Sequence, residues 1–186
     1  LHRGEHSFPT RRSSDLLEVS VKRGDDVEAG DVLSAGIPHP AEIVRHKGIG
    51  EGRRYFAMAF RKALQNSNTY GNRRNIALLS RGSTNHVRLT DEIGDWSPED
   101  VVPYNVVERQ WTPRDGSALV DLGQAKGKYL ERPVLHYSIG TRVTRGVSDT
   151  LLKHKIPAVE VHHEPPPFQP EMVRGMANVS YDQDWM

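Results

Sequence analysis

Apolar and polar residues alternate at Val19 and Val21, and the alternation breaks at Arg23-Gly24-Asp25. Val27, Val32 and Leu33 follow, interrupted by a second turn signal at Gly30-Asp31. Short apolar stretches cut by Gly-Asp turns predict a small β module over residues 17–40, closed by Pro38 and Pro40. The period then changes. In residues 50–66, GEGRRYFAMAFRKALQN, the apolar positions Phe56, Phe60, Ala63 and Leu64 recur at i, i+4, i+7 and i+8. That is one face of a helix, and it leaves Arg53, Arg54, Arg61 and Lys62 for the other faces. Asn72 is placed to cap a second helix, in which Ile76, Leu79, Ser83 and Val87 share a side and Arg73, Arg74, Arg81 and Arg88 lie around it. The link from Asn66 to Gly71 is short and polar, so residues 41–90 read as a basic helical hairpin with Phe56, Phe60, Ile76 and Leu79 in its core.

The remainder is more broken. Residues 89–100 are acidic and turn-rich, and Val101, Val102, Tyr104, Val106 and Val107 read as strands interrupted at Pro103. Pro113, Gly116, Gly123 and Gly127 make 111–128 a flexible loop, so 91–128 forms an acidic, Gly/Pro-rich connection with short strands. A β–α–β module follows over 129–186. Its strands are Val134 to Ile139 and Ala158 to Val161, and Thr144 caps a helix through Val147, Leu151 and Leu152. Glu164-Pro165-Pro166-Pro167-Phe168 must be extended, because proline lacks an N–H and biases the residue before it away from α. Glu171 to Met176 reads as the start of one more helix, and no internal repeat is visible. The expected class is α+β, with small β-barrel or sandwich-hybrid-like modules flanking the basic hairpin.

Composition narrows the function classes. The chain has 186 residues, is 36% hydrophobic and contains no cysteine. This is the range of one or two ordinary soluble domains and excludes a disulfide scaffold, a thiolate metal site and a cysteine nucleophile. No apolar run approaches the roughly 18 residues of a membrane span, and a cytoplasmic setting is expected. Ser7 to Leu16, SFPTRRSSDL, looks like the in-frame translation of a common sequencing adapter, and no Met stands at position 1. Residues 1–16 are therefore expected to be an artefact, and the rest a fragment of a longer reading frame cut at both ends.

The formal charge of +1 hides a strong asymmetry. Residues 17–40 carry two basic and five acidic groups. Residues 41–88 carry ten basic groups against only Glu42 and Glu51, and 89–186 carry ten basic and fifteen acidic groups. A positive face on a nearly neutral body suits contact with nucleic acid or with an acidic protein surface. Arg53, Arg54, Arg61, Lys62, Arg73, Arg74 and Arg81 are the candidate nucleic-acid or intersubunit contacts. Gly48, Gly50 and Gly52, read as a helix-entry loop ahead of Arg53 and Arg54, are candidates for cradling a phosphate. Their spacing is neither the dinucleotide fingerprint nor a P-loop.

Other chemistry finds less support. His162, His163 and Glu164 invite a metal reading, but neighbours on a strand point to opposite faces, and no metal site is assigned. Asp91, Glu92, Asp95, Glu99 and Asp100 lack the calcium-loop spacing. No Ser or Thr stands in a nucleophile elbow. The phrase from Val27 to Leu33 is similar to half of a biotinyl/lipoyl-type domain, but the next lysine, Lys47, lies in a different setting from a carrier lysine.

The order of motifs over residues 19–98 resembles the C-terminal part of the β′ subunit of multisubunit DNA-directed RNA polymerase, downstream of its catalytic centre. The matching positions are Gly24, Val27, Gly30 and Leu33, then Pro40, Ile43, Lys47 and Gly48, then Arg54 and Tyr55. Asn72, Ile76 and Arg81 follow, and then Val87, Asp91, Gly94, Asp95 and Pro98. A later stretch, with Val134, Gly140-Thr141, Val143-Thr144, Leu151 and Val159 to Val161, is similar to another small-barrel phrase of that subunit. The family's Leu-Gly-Ile-Thr-Lys-Ala-Ser segment is absent, which fits a divergent polymerase of phage or viral type. Its metal-binding Asn-Ala-Asp-Phe-Asp-Gly-Asp phrase is absent too. The resemblance thus implies a non-catalytic piece with no cofactor of its own, the Mg²⁺ of nucleotidyl transfer belonging to the parent enzyme. It implies other polymerase subunits and the DNA or RNA backbone as partners, no membrane, and the cytoplasm of a bacterium or phage-infected host. The alternatives are a structural or assembly protein, cellular or viral, whose small barrels make subunit contacts, and a carrier-like domain modified on lysine.

Overall fold

The computed structural model describes residues 19–34 and 36–171, which fall into two compact units divided between Pro38 and His39. The first unit is held by local backbone chemistry. Val19 bridges Ser34 in antiparallel fashion and the Ser20 amide donates to the Leu33 carbonyl at 3.0 Å. Two turns lie between them, each clamped by an aspartate: Asp25 accepts from the Lys22 amide at 2.7 Å and Asp31 from the Glu28 amide at 2.8 Å. Gly24 and Gly30 supply the left-handed residues of these turns, at φ 100° and 86°. None of the unit's described residues is buried.

The second unit begins with α1 (Pro40–Asn66), capped by the His39 side chain, which accepts from the Ala41 amide at 3.3 Å. A bend at Gly48, φ 85°, divides the helix. After a turn comes α2 (Arg73–Ser83), capped as the sequence predicts by Asn72, which accepts from the Arg74 amide at 2.8 Å. The two helices pack against each other. Ile76 is buried, but Phe56 and Phe60 are only half-buried and Leu79 is 50% exposed, which corrects their core assignment. The helix face that carries Ile76 continues to Ser80 rather than to Leu79. Val87 leaves the helical series altogether and lies in a strand.

The strands form two three-stranded antiparallel sheets, and no barrel closes among the described residues. One sheet is β1 (His86–Leu89) flanked by β2 (Val101–Pro103) and β6 (Phe168–Glu171). The Pro-rich segment leads into β6, an edge strand, where Pro170 forfeits no inward hydrogen bond of a central strand. Glu171 belongs to this strand, and 172–176 of the expected last helix lie outside the described residues. The second sheet places β5 (Ala158–His162) between β3 (Ala118–Asp121) and β4 (Tyr129–Leu130). The fold is a mixed α+β arrangement, as expected, but its β parts are small open sheets rather than barrels.

Three further expectations are corrected. Tyr104 to Val107 belong not to a strand but to α3 (Tyr104–Gln110), because Pro103 starts the helix instead of interrupting a strand. The supposed loop 111–128 contains β3 and α4 (Leu122–Ala125). Val134 to Ile139 do not form a strand: Val134 and Tyr137 exchange amide–carbonyl hydrogen bonds at 3.0 and 2.9 Å across a tight turn with Leu135 at φ 56°. The helix capped by Thr144 is present as α5 (Arg145–Lys153), with the Thr144 hydroxyl accepting from the Val147 amide.

That turn reveals a repeat the sequence conceals. Residues 89–104 and 130–145 adopt one backbone motif at a constant offset of 41 positions. Leu89 donates to Asp100 and accepts from Glu99, and Leu130 donates to Thr141 and accepts from Gly140. The exchange between Val134 and Tyr137 matches one between Ile93 and Trp96, and the Thr141-to-Ser138 bond matches Asp100-to-Ser97. Left-handed residues fall at Gly94 and Glu99 in one copy and at Leu135 and Gly140 in the other. Each copy ends at a helix start, α3 or α5. Each also feeds its own core, one built on Val87, Leu89, Val102, Tyr104 and Phe168, the other on Leu130, Val143, Leu151, Val159 and Val161.

The segment between the two copies is tied to the second by a buried ion pair. The Glu131 carboxylate is fully buried and accepts from Trp111 Nε1 at 3.2 Å, the Arg114 amide at 3.1 Å, and Arg114 Nε and a terminal nitrogen at 3.0 and 2.6 Å. Replacing Glu131 with Gln keeps the shape but removes the charge opposite a largely buried guanidinium. E131Q should cost about 3–5 kcal/mol in denaturant unfolding. Glycine substitutions separate packing from propensity. A Cβ on Gly50 would lie 1.6 Å from the His136 carbonyl oxygen, whereas one on Gly82 meets nothing within 4 Å. G50A should therefore cost more than the ~1–3 kcal/mol of ordinary overpacking, and G82A should stabilise by about 0.5–1 kcal/mol, both read as shifts in the unfolding midpoint.

Candidate nucleic-acid interface: an arginine-lined cavity

The helix period decides which basic residues meet. On α1, Arg53, Ala57 and Arg61 follow one another at four-residue intervals, and on α2 Arg73, Ile76, Ala77, Ser80 and Arg81 occupy one stripe. These stripes face a common cavity of about 700 Å³, completed by Tyr104 and Glu108 of α3 and by the turn residues Leu135 to Ser138. Five of the seven basic residues singled out in the sequence line it: Arg53, Arg54, Arg61, Arg73 and Arg81. Lys62 and Arg74 do not, each being displaced one position around its helix, and both are exposed. The only carboxylate among the lining residues is Glu108.

Arg53 is the least hydrated of the five. A terminal nitrogen donates to Asn85 Oδ1 at 2.6 Å, and Asn85 is in turn held by Asn105 at 2.6 Å. Its guanidinium carbon stands 5.9 Å from the centroid of the Tyr104 ring. Its Nε is buried with no hydrogen-bond partner. Desolvation lowers the Arg53 pKa, and the positive charge of Arg81 lowers it further, against the opposing pull of Tyr104 and Glu108. A guanidinium held in this way favours the arrival of an anion. Arg54 differs, because Glu51 lies 3.6 Å away and is itself bound to His136 Nε2 at 2.5 Å.

Tyr104 is the floor on which this arrangement rests. It is 2% exposed, stands edge-on to Phe168 and accepts the Ile139 amide at 2.9 Å. Burial raises its phenol well above the ordinary range, so it stays protonated and its hydroxyl proton reaches Glu108 at 3.3 Å. Tyr104, Glu108 and Asn85 carry no motif that would select them from sequence alone. The one available signal was the i, i+4 pair of Tyr104 and Glu108 after a proline, which reads as a helix start.

The glycines read as a helix-entry loop do not form a separate loop ahead of the helix. Gly48, Gly50 and Gly52 lie within α1, and Gly48 and Gly52 are buried. Each sits where another group approaches too closely for a side chain: Gly48 against Thr141 Oγ1, Gly50 against the His136 carbonyl, Gly52 against Val44. They set the bend of α1 and seat it on the turn at 134–137, and Gly50 forms part of the cavity wall.

His162, His163 and Glu164 offer ligand atoms within 4.8 Å of one another, and the two imidazole centroids are 4.4 Å apart. The alternation argument that separates them fails because β5 ends at His162, so His163 has left the strand. The His162 Nδ1 accepts from the Glu164 amide at 3.0 Å. This commits one ring nitrogen of His162 to the backbone of Glu164.

A hydroxyl deletion at the floor tests the support for Arg53. Y104F leaves the Ile139 N–H buried without an acceptor and should cost about 1–3 kcal/mol in denaturant unfolding, while the aromatic face under Arg53 remains.

No family model matches the chain. It is similar to the DNA-directed RNA polymerase subunit beta′ of Clostridium botulinum strain ATCC 19397 (Type A), at 24% identity over 146 residues. The match covers 74% of this chain and 12% of that relative. The same subunit from the Langeland strain matches at 24% and that from the Loch Maree strain at 23%, with the same coverage. The chain therefore resembles a limited portion of a much longer polymerase subunit.

Proposed function

We propose that the chain is a piece of a β′-like subunit of a multisubunit DNA-directed RNA polymerase, from the region downstream of the catalytic centre. In this reading it supports transcription by packing against other subunits and by contacting a nucleic-acid backbone in the cytoplasm of a bacterial or phage-infected cell. It performs no catalytic step, and the Mg²⁺ of nucleotidyl transfer is held by other parts of the enzyme. The observation that carries the backbone contact is the convergence of five arginines on one cavity lined by a single carboxylate. The likeness to β′ subunits over 146 residues supports the polymerase setting. Apolar side chains left exposed on and beside α2, Tyr70, Leu78 and Leu79, support the packing role.

Backbone contact carries an electrostatic signature. Affinity for DNA should fall linearly on logarithmic axes as salt rises from about 50 to 200 mM, with a slope set by the phosphates neutralised. R61E and R73E, both exposed and on different helices, should each reduce that slope and weaken binding without altering the fold. A flat salt response, together with self-association in sedimentation, would favour the assembly-protein reading instead.

A further inference from the structure

The shape and lining of the arginine cavity select among nucleic acids. Charges that serve a duplex lie along a face that follows its phosphates from outside. Here they surround a hollow of about 700 Å³, within the range of cavities that enclose a small molecule. The hollow has apolar surface as well as charge: Ala57, Met58, Ile76, Ala77 and Leu135 contribute to its walls. Met58 and Leu135 are 63% and 50% exposed, so apolar area is open to a ligand. Deep in the wall, Arg53 is desolvated, and the nearby positive charge of Arg81 further disfavours its own. The Nε of Arg53 still lacks a partner.

We propose that the cavity takes an unpaired nucleic-acid segment, with a phosphate between Arg53 and Arg81 and an adjoining base laid on the apolar wall of Met58 and Leu135. The proposal rests on the reading of these arginines as backbone contacts and adds that the strand enters single. Arginines supply both halves of such recognition, pairing with phosphate through the fork and stacking on a base through the guanidinium plane. A duplex cannot place a phosphate and a bare base face in one hollow together, because its bases are stacked inside.

The test uses the full chain, an oligo-dT strand, a duplex with the same number of phosphates, and polyglutamate of matched charge. A charge-neutral variant, Ala77→Trp, fills the hollow from an exposed lining position. The single strand should bind more tightly than the duplex, and A77W should weaken single-strand binding about tenfold, in the range of one lost base stack. Met58→Gln is a second variant that removes apolar wall without adding bulk, and it should lower single-strand affinity with the salt slope unchanged. If strand and duplex bind equally and neither variant matters, the single-strand inference fails while backbone contact stands. If no nucleic acid binds at any salt, both fail. Preference for polyglutamate would overturn both in favour of an acidic protein partner.

Discussion

The contact on which the second unit depends is the buried carboxylate of Glu131. One side chain with no exposure receives four hydrogen bonds, three from Arg114 and one from Trp111. Arg114 also donates to the carbonyls of Glu164 and Pro165, each at 2.8 Å. The Glu131 amide donates to the Glu160 carbonyl at 2.9 Å. Three chain segments that are distant in sequence, 111–114, 131 and 160–165, therefore meet around one charge. Trp111 packs against the core around Tyr104 and Phe168, while Leu130 beside Glu131 belongs to the other core. Removing a charge of this kind strands its partner, which is why a buried pair fixes geometry more reliably than it adds stability.

That geometry reaches the cavity through the turn that follows. Glu131 begins the path to Val134 and Tyr137, whose mutual hydrogen bonds present Leu135, His136 and Ser138 to the cavity. The carbonyl of His136 is the surface on which Gly50 rests, and Gly48 meets Thr141 and Ser138 of the same stretch. The bend in α1 and the turn thus fit only each other. Because Arg53 and Arg54 follow this seat directly, the direction in which α1 leaves it determines where its guanidinium groups stand.

The sequence displayed the features that are local. Asn72 and Thr144 were readable as helix caps because a short polar side chain before an apolar stripe satisfies the same orphan amides in any fold. The basic faces of α1 and α2 were readable from period alone. What was hidden depends on partners far along the chain. The glycines from Gly48 to Gly52 look like a loop until the His136 backbone is placed against them. Leu79 looks like core until Ser80 is found in its place. The repeat was invisible because its copies share backbone, not side chains: Leu89 and Leu130, Ser97 and Ser138, and Val102 and Val143 are identical, while most other positions differ. Glu99 in the left-handed region, where Gly140 stands in the second copy, removes even the glycine that would have marked the turn.

The crowding of guanidinium groups is a cost that the free protein carries. Like charges that disfavour one another across a hollow weaken the folded state unless something else holds it. Here the holding elements are apolar or self-contained: the Tyr104 ring beneath Arg53, the Asn85–Asn105 pair beside it, and the Glu51–His136 pair by Arg54. None of them places a carboxylate within the shell of Arg61, Arg73 and Arg81, and Glu108 is shared with the Tyr104 hydroxyl. A chain selected only for stability would have placed acidic residues at such positions, as this one does at Arg88 with Glu171 and at Arg114 with Glu131. The contrast between those paired arginines and Arg61, Arg73 and Arg81, which have no carboxylate partner among the described residues, is the physical argument behind the proposed contact with negative charge from outside.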